Sequence, residues 1–301
     1  MPQAVTTVID PERCNGCGRC IRVCPSQTLS LVNGKAVVTG DSSLNCGHCQ
    51  AVCPEGAVRV ASLDPEQASF ATFELDETWL PHGNYDLPGL ARLMASRRSC
   101  RNYRKEAVPR DLLADLVKIG LSAPSGTNSQ RWTFTVLPNR EKVLELSQGV
   151  GQVMAAFNRM SEKVWLRKLM RLMGKPQLDQ YYREYHDSVS RGLAEWEEKG
   201  IDRLFHGAAA AIMIGSLPGA STPKEDALLA AGHMLLAAHA MGLGTCLIGF
   251  AVEVLSHKPE VGRPFGVRPE ERIHAVIALG WPKEEYVRIT GRRAPIVRWC
   301  E

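Results

Sequence analysis

The chain has 301 residues, 45% of them hydrophobic and 23% charged, which is the balance of a soluble globular protein with one or two domains. The net charge of +4 at pH 7 is mild and does not favour nucleic-acid binding, which needs a concentrated basic face. The most apolar long stretch, Ala227 to Leu243, contains two histidines and is too short and too polar to span a bilayer, so we expect no membrane span.

The start of the chain and its cysteines predict a reducing compartment. Residues 1–5 lack the basic start and apolar run of a signal peptide, which favours a cytoplasmic protein whose thiols stay reduced. Seven of the ten cysteines lie between Cys14 and Cys53. In that setting a crowded set of cysteines indicates metal binding rather than a disulfide framework.

The cysteines belong to an internal repeat with an offset of 29 residues, in which a C-x-x-C-x-x-x-C-P pattern begins at Cys17 and again at Cys46. Cys14 extends the first copy to the spacing that wraps three thiolates around an iron–sulfur cube, while the fourth cysteine reaches a second cluster. One [4Fe–4S] cluster would then be held by Cys14, Cys17, Cys20 and Cys53. The other cluster would be held by Cys24, Cys46 and Cys49. A structural zinc site is the alternative for C-x-x-C pairs, and the 2-2-3 spacing with proline, repeated, disfavours it.

Ser43 interrupts the second copy, because a cysteine is expected at that position. The segment 8–60 resembles the two-cluster bacterial ferredoxins, and this departure leaves three outcomes: a [4Fe–4S] cluster with a Ser43 or solvent ligand, a [3Fe–4S] cluster, or no second cluster. Since Cys24, Cys46 and Cys49 all remain, we expect a second cluster to form. A harder ligand at Ser43 would shift its reduction potential.

The rest of the chain predicts a linker followed by an α+β domain. A ferredoxin-like unit over 1–62 is followed by a stretch at 63–87 that is rich in proline and glycine and indicates a linker or wrapping arm. Within 88–301 the patterns predict helices at 90–96, 109–122, 150–205 and 224–242, and strands at 132–137, 208–216 and 273–279. Helices interleaved with strands indicate a central mixed sheet flanked by helices.

Four polar segments of this second domain occur in a characteristic order. Arginines and a serine at 97–101 suit a phosphate, and a polar turn follows at 123–132 between a predicted helix and a strand. A helix end turns into a tight backbone stretch at 241–250, and two arginines stand at 292–293. The glycines at 242–249 do not form a dinucleotide-binding loop, because they follow a helix and have the wrong spacing.

Together the four segments resemble the nitroreductase family of FMN enzymes, over residues 88–301. The resemblance implies that the FMN phosphate and ribityl chain are held by Arg97, Arg98, Ser99 and Arg101. It implies that a turn reaches the flavin of the partner subunit through Pro124, Ser125, Gly126, Asn128 and Gln130. It implies backbone beside the isoalloxazine at Leu247, Ile248, Gly249 and Phe250, and a second phosphate contact at Arg293 with Arg292. Gly249 stands where relatives often carry an acidic side chain, and Gly291 where they often carry a lysine.

These motifs predict an enzyme that joins iron–sulfur clusters to a flavin. Clusters carry single electrons, and FMN can accept them and deliver a hydride. The resemblance implies a homodimeric oxidoreductase that reduces nitroaromatics, quinones or other conjugated electrophiles, with reduced ferredoxin or NAD(P)H as the electron donor. No catalytic side chain is assigned. The alternatives are an enzyme that modifies flavin or a cofactor precursor, and a redox carrier or sensor without catalysis.

Overall fold

A computed structural model describes residues 3–300 of the chain. Residues 3–60 form a small unit of paired two-residue to four-residue strands with two short helices. Its elements are β1 (Gln3–Ala4), β2 (Thr7–Ile9), α1 (Arg19–Val23), β3 (Leu29–Val32), β4 (Lys35–Val38), β5 (Ser42–Ser43), α2 (His48–Ala51) and β6 (Val58–Val60). Strand β1 pairs with β5, β2 with β6 and β3 with β4, all antiparallel.

The internal repeat of the sequence is visible in this unit. Helices α1 and α2 begin after Gly18 and Gly47, both in the left-handed region with φ of 69° and 78°, a conformation that glycine adopts without steric cost. Each helix carries one buried cysteine, Cys20 or Cys49. The apolar core is small and includes cysteine side chains, as expected for a unit that depends on metal for stability.

The segment after this unit is a wrapping arm rather than a free linker. It contains one 3₁₀ turn, Pro65–Ala68, and then runs along the surface of a helix in the second domain. The buried carboxylate of Asp115 accepts hydrogen bonds from the backbone N–H groups of Ala71 (3.0 Å) and Thr72 (2.8 Å) and from the Thr72 hydroxyl (2.6 Å). Lys118 donates to the Ser69 carbonyl at 2.5 Å. The arm is therefore fixed at 66–72.

The second domain is built on a four-stranded sheet with the order β7–β8–β10–β9. The strands are β7 (Trp132–Leu137), β8 (Ala210–Ser216), β9 (Gly244–Leu247) and β10 (Arg272–Gly280). The ladders between them are antiparallel, and a single parallel bridge joins Ser99 to Thr245. The α+β fold that the sequence predicts is confirmed.

Helices cover both faces of this sheet. They are α3 (Leu87–Ser96), α4 (Arg110–Gly120), α5 (Arg140–Ser161), α6 (Val164–Leu172), α7 (Gln177–Glu184), α8 (His186–Lys199), α9 (Pro223–Ala240) and α10 (Gly249–His257). A 3₁₀ segment, Pro259–Phe265, follows α10. Helices α4 and α9 lie on one face of the sheet, while α5 and α10 lie on the other.

Strand β8 shows why its sequence is continuously apolar. Ala211 and Met213 point into the core that α5 and α10 close, whereas Ile212 and Ile214 point into the core that α4 and α9 close. All seven residues are buried. Because successive side chains of a strand face opposite sides of the sheet, a strand covered on both faces needs apolar residues at every position.

Within residues 3–300, no helix is both long enough and apolar enough to cross a membrane.

Candidate functional site

The cysteines of the first unit surround two separate cavities. The first cavity is lined by Cys14, Cys17, Cys20 and Cys53, the four residues that the repeat assigns to one cluster. Backbone N–H groups point at two of these sulfurs: Ala36 donates to the Sγ of Cys14 at 3.4 Å and Ala57 to that of Cys53 at 3.2 Å. The bonds from Ala36 and Gly16 hold the pKa of the Cys14 thiol below its usual value, which favours the thiolate that binds iron.

The second cavity is lined by Cys24, Cys46 and Cys49 together with Ser43. The chain therefore brings Ser43 to the place that a fourth cysteine would occupy. Ser43 is buried, and its Oγ accepts a hydrogen bond from the N–H of Asn45 at 3.1 Å. Burial raises the pKa of Cys24, but hydrogen bonds from the Thr28 hydroxyl (3.3 Å) and nearby backbone N–H groups outweigh it and lower the pKa overall.

The donor set of both cavities fits an iron–sulfur cluster. Within residues 3–300, no three histidine, cysteine, aspartate or glutamate side chains converge closely enough to hold a single metal ion. The thiols instead lie around the walls of a space, as they must to hold a cube of iron and sulfide at its corners. Gly16, between Cys14 and Cys17, has no room for a side chain, because a Cβ there would lie 2.1 Å from the carbonyl oxygen of Gly34.

In the second domain, the arginine segment lies between the end of α3 and strand β9. Ser99 forms the parallel bridge to Thr245, and the N–H of Cys100 donates to the Thr245 carbonyl at 2.8 Å. This pairing runs the backbone of the segment alongside strand β9. Burial raises the pKa of the Cys246 thiol, while the neighbouring Arg101, Ser99 and Arg97 oppose that shift.

The positive charge of this segment is uncompensated. Within residues 3–300, neither Arg97, Arg98 nor Arg101 forms a salt bridge with a carboxylate. Burial lowers the pKa of His206, and the positive charge of Arg101 contributes to that shift. Unpaired guanidiniums beside a serine hydroxyl and a helix-flanked backbone suit a phosphate group.

A cavity of about 870 Å³ adjoins the arginine segment. Its walls include Arg97 and Arg98, the end of α9 at His239 and the C-terminal stretch around Thr290. Arg98 donates to the Thr290 hydroxyl at 3.2 Å. Arg292 and Arg293 lie further along this exposed stretch, and no hydrogen bond recorded within residues 3–300 joins them to the other arginines. The structure therefore places Arg97 and Arg98 in the wall of this cavity, with Thr290 of the C-terminal stretch beside Arg98.

The polar turn at 124–130 lies at the other end of α9. The buried carboxylate of Asp226 in the first turn of that helix accepts hydrogen bonds from the N–H of Gly126 at 2.9 Å and from Thr222 at 2.7 Å. The turn is strained, since Thr127, Asn128 and Gln130 have φ of 52°, 53° and 46°. Non-glycine residues persist in this region only when their surroundings hold them there.

Asn128 has contacts that the sequence did not indicate. Its side-chain N–H₂ donates to the carbonyl oxygens of Leu44 at 2.9 Å and Asn45 at 3.2 Å, in the ferredoxin-like unit. Its Oδ1 accepts from the side chain of Gln130 at 2.9 Å. The turn that the sequence assigns to flavin is thus also the place where the two units meet.

The stretch 247–250 follows strand β9 and enters α10. Ile248 is buried and its N–H donates to the Val276 carbonyl at 2.9 Å, while Leu247 and Phe250 are 45% and 37% exposed. Gly249 has open space where a Cβ would stand. Phe250 also lines a cavity of about 530 Å³ between α5 and α8, with Trp196, Gln148 and Gln152 among its walls.

The length of α9 separates the two halves of the predicted flavin site. The turn contacts the start of this helix at Asp226, and the arginine segment adjoins its end at His239 and Gly242. From Asp226 to His239 this α-helix rises by about 20 Å. Within one chain, the turn and the arginine segment therefore lie at opposite ends of this helix.

Comparisons with known proteins agree with these two units. A model described as the nitroreductase family matches residues 94–281, and one described as a 4Fe-4S dicluster domain matches residues 6–54. An NADH dehydrogenase from Thermus thermophilus is 28% identical over 191 residues, 63% of this chain and 84% of that protein. A 4-nitrobenzoate reductase from Nocardioides sp. is 24% identical over 214 residues, 64% and 81% of the two chains.

Among solved structures, a nitroreductase with bound FMN from Bacteroides fragilis superposes with a TM-score of 0.52 at 20% identity, covering 70% of this chain and 98% of that one. At that identity the likeness concerns the fold alone. The family match, in contrast, spans more than half of the chain and includes the arginine segment, the polar turn and the stretch at 247–250. This chain belongs to the nitroreductase family, and it carries a 4Fe–4S dicluster domain in front of the nitroreductase domain.

Proposed function

We propose that this protein is an FMN-dependent oxidoreductase that passes electrons between 4Fe–4S clusters and flavin to reduce nitroaromatic, quinone-like or other conjugated electrophiles. The observation that carries the proposal is the meeting of the two units at Asn128. The Asn128 side chain donates to the carbonyl of Asn45, which lines the cavity of Cys46, and Asn128 itself belongs to the turn that the family resemblance assigns to flavin.

The cysteines would hold two clusters. Cys14, Cys17, Cys20 and Cys53 ligate the first, and Cys24, Cys46 and Cys49 ligate the second with Ser43 at the fourth position. N–H groups that point at the sulfurs stabilise negative charge on them, and such bonds tune the reduction potential of a cluster. The clusters supply one-electron transfer when they are bound.

Arg97, Ser99 and Arg101 would hold the phosphate of FMN, with Arg98 on the side of the adjoining cavity. Since no carboxylate within residues 3–300 forms a salt bridge with these arginines, their guanidinium groups remain available for phosphate oxygens. We propose Arg292 and Arg293 as further phosphate contacts that the C-terminal stretch supplies on assembly. FMN, when bound, accepts electrons and delivers a hydride.

The polar turn and the stretch at 247–250 would enclose the ring of the flavin. Pro124, Ser125, Gly126, Asn128 and Gln130 reach it from the partner, and Leu247, Ile248, Gly249 and Phe250 line it from the same chain as the arginines. Since Gly249 carries no side chain, only its backbone N–H could donate there.

We propose a homodimer, because a shared site requires two copies when its halves lie at opposite ends of α9. Leu228 and Leu229 on this helix are 42% and 45% exposed, and Trp299 in the C-terminal stretch is 88% exposed. Apolar side chains left open on a helix and on an extended tail suit an interface with a second copy.

The cavity between α5 and α8 supports a flat, conjugated electron acceptor. Trp196 and Phe250 offer aromatic walls, and Gln148 and Gln152 offer a few polar contacts, the composition that small-molecule sites commonly have. The Nocardioides relative reduces 4-nitrobenzoate by name, which makes that compound the first acceptor to test. Reduced ferredoxin or NAD(P)H would supply the electrons, in a cytoplasmic compartment.

The test begins with anaerobically purified protein, its absorption spectrum, its extracted flavin and its iron and sulfide content. Reduction of 4-nitrobenzoate is then followed with NADH or reduced ferredoxin. Arg101→Gln is expected to weaken FMN binding by about tenfold or more, since a charge-assisted bond contributes about 1.5–3 kcal/mol. Arg104→Gln, the same change at an exposed arginine outside the segment, is its matched control.

Cys17→Ser is expected to lower the iron content and the turnover with reduced ferredoxin, and Cys300→Ser is the control at an exposed cysteine outside the repeat. Purified protein that holds neither flavin nor iron after reconstitution would refute the proposal. So would protein that holds both but turns over no acceptor with either donor.

A further inference from the structure

Asn128 is the point at which the ferredoxin-like unit meets the nitroreductase domain. Within residues 3–300, every hydrogen bond between 3–62 and 88–300 has Asn128 as one partner: its side chain donates to Leu44 and Asn45, and its carbonyl accepts from Gln3 at 3.4 Å. No salt bridge of the described chain crosses between these two ranges. One residue therefore makes every one of these polar contacts, and its side-chain amide makes the two to Leu44 and Asn45.

On the ferredoxin side, this amide reaches the peptide that leads into a cluster cysteine. The carbonyl of Asn45 is bonded to the nitrogen of Cys46, and both residues line the cavity of Cys24, Cys46 and Cys49. Asn45 is itself held firmly: its side chain accepts from the N–H of Thr6 at 3.2 Å and donates to the Ala4 carbonyl at 2.9 Å. The hydrogen bonds of Asn45 therefore fix the short segment between Asn128 and the cavity.

On the other side, the same amide is built into the strained turn. Its Oδ1 accepts from Gln130, and the turn is tied to α9 through Gly126 and Asp226. Asn128 keeps its left-handed backbone within these contacts. No residue that lines the Cys14 cavity forms a hydrogen bond to 88–300 within the described chain.

We infer that Asn128 is a positioning residue that docks the cluster of Cys24, Cys46 and Cys49 against the flavin, and that this cluster rather than the one at Cys14 exchanges electrons with it. The inference rests on the proposed function. In each event the reduced cluster loses one electron and becomes oxidised, and the flavin gains that electron. Two such events complete the reduction of the flavin: the electron donor reduces the cluster again between them, and the protons come from solvent.

The test measures the intramolecular step directly. Holoprotein is mixed anaerobically with flash-generated methyl viologen radical, and the reoxidation of the clusters and the bleaching of the flavin are followed together. The phase of interest is first-order and independent of the viologen concentration. Asn128→Asp places a carboxylate against two carbonyl oxygens, and Asn128→Gly removes the side chain at a backbone angle that glycine accepts.

We expect both variants to slow this phase by about tenfold or more, because two hydrogen bonds are lost and their loss separates the units. Reduction of the bound flavin by NADH, which bypasses the clusters, reports whether the flavin site remains competent. Asn15→Asp is the matched control, because it makes the same chemical change beside the cluster of Cys14, where the Asn15 side chain donates to Glu55 at 3.0 Å. It should change the rate of the cluster-to-flavin phase by less than about twofold.

A second readout does not depend on electron transfer. Hydrogen exchange at the backbone amides of 44–46 should accelerate in Asn128→Gly and remain unchanged in Asn15→Asp. If the wild type shows no intramolecular phase at all, the proposed function fails. If the wild type shows the phase and the Asn128 variants retain its rate, or if Asn15→Asp slows it instead, the inference is overturned while the proposed function stands.

Discussion

Replacing Asp226 should release the polar turn from α9 and weaken flavin binding. The carboxylate accepts hydrogen bonds from the N–H of Gly126 at 2.9 Å and the hydroxyl of Thr222 at 2.7 Å, and it lies 3.5 Å from the hydroxyl of Ser129. A hydrogen bond to a carboxylate contributes about 1.5–3 kcal/mol. If the turn must keep its shape to bind FMN, losing the bond to Gly126 alone raises the Kd by about 30-fold, taken at about 2 kcal/mol.

The strain of the turn acts in the same direction. Three of its residues hold left-handed backbone angles, so the released turn moves to a more relaxed conformation rather than staying in place. Asp226→Asn keeps an oxygen that can accept from Gly126 and should therefore show a smaller effect than Asp226→Ala. Glu225→Ala is the control, because Glu225 occupies the same helical turn but is exposed.

The measurement is a titration of apoprotein with FMN, followed by quenching of the flavin fluorescence, with circular dichroism to verify the fold. The expected order of Kd is wild type, then Asp226→Asn, then Asp226→Ala, with Glu225→Ala close to wild type. A Kd for Asp226→Ala within about twofold of the wild type would refute the reasoning, because it would mean that the bond to Gly126 contributes less than about 0.5 kcal/mol to the bound shape.

Three further predictions concern the arm and the clusters. Asp115→Ala should free the arm, which would be seen as faster hydrogen exchange at the Thr72 amide. Burial would raise the pKa of Asp115, but hydrogen bonds outweigh it and hold the pKa low, so the stabilisation from this carboxylate is present above about pH 4 and is lost as the pH falls through the lowered pKa. The variant lacks this carboxylate and should therefore lose less stability than the wild type on acidification. Gly16→Ala should lower the iron content measured after reconstitution, since its Cβ would lie 2.1 Å from the oxygen of Gly34, and a normal content would contradict the close approach. Ser43→Cys should give about eight irons per chain and two cubane signals in EPR; a variant that stays near four irons would show that the second cavity holds no cluster.

The sequence predicted those parts of the molecule that depend on local patterns. The strand at 132–137 is found with the predicted bounds, because alternation and β-branched residues act over a few neighbours. The pairing of an iron–sulfur module with a nitroreductase-family oxidoreductase is confirmed, and the predicted FMN and 4Fe–4S cofactors agree with it. The grouping of cysteines into two sets followed from spacing alone, since the repeat fixes which thiols face which cavity.

The contacts that join distant segments were not predictable in this way. Asp226 binds a turn 100 residues earlier, and Asp115 binds an arm 43 residues earlier. Neither carboxylate differs in its local sequence from an exposed helical acid, so no periodicity or motif distinguishes them. Helix α10 was also not anticipated, because it begins with Gly249 and Phe250, within a stretch for which only backbone contacts with the flavin were expected. The ligand role of each site residue stays a prediction.

Because the turn and the arginines lie at opposite ends of α9, variants that affect different ends should complement each other in a mixed dimer. In a dimer with shared centres, a subunit defective at 101 still contributes a sound turn, and a subunit defective at 128 still contributes sound arginines. A mixed dimer of two such impaired variants would carry both lesions in one centre and none in the other. Co-expression of the two variants should thus give more activity than either variant alone, with one intact centre in each mixed pair.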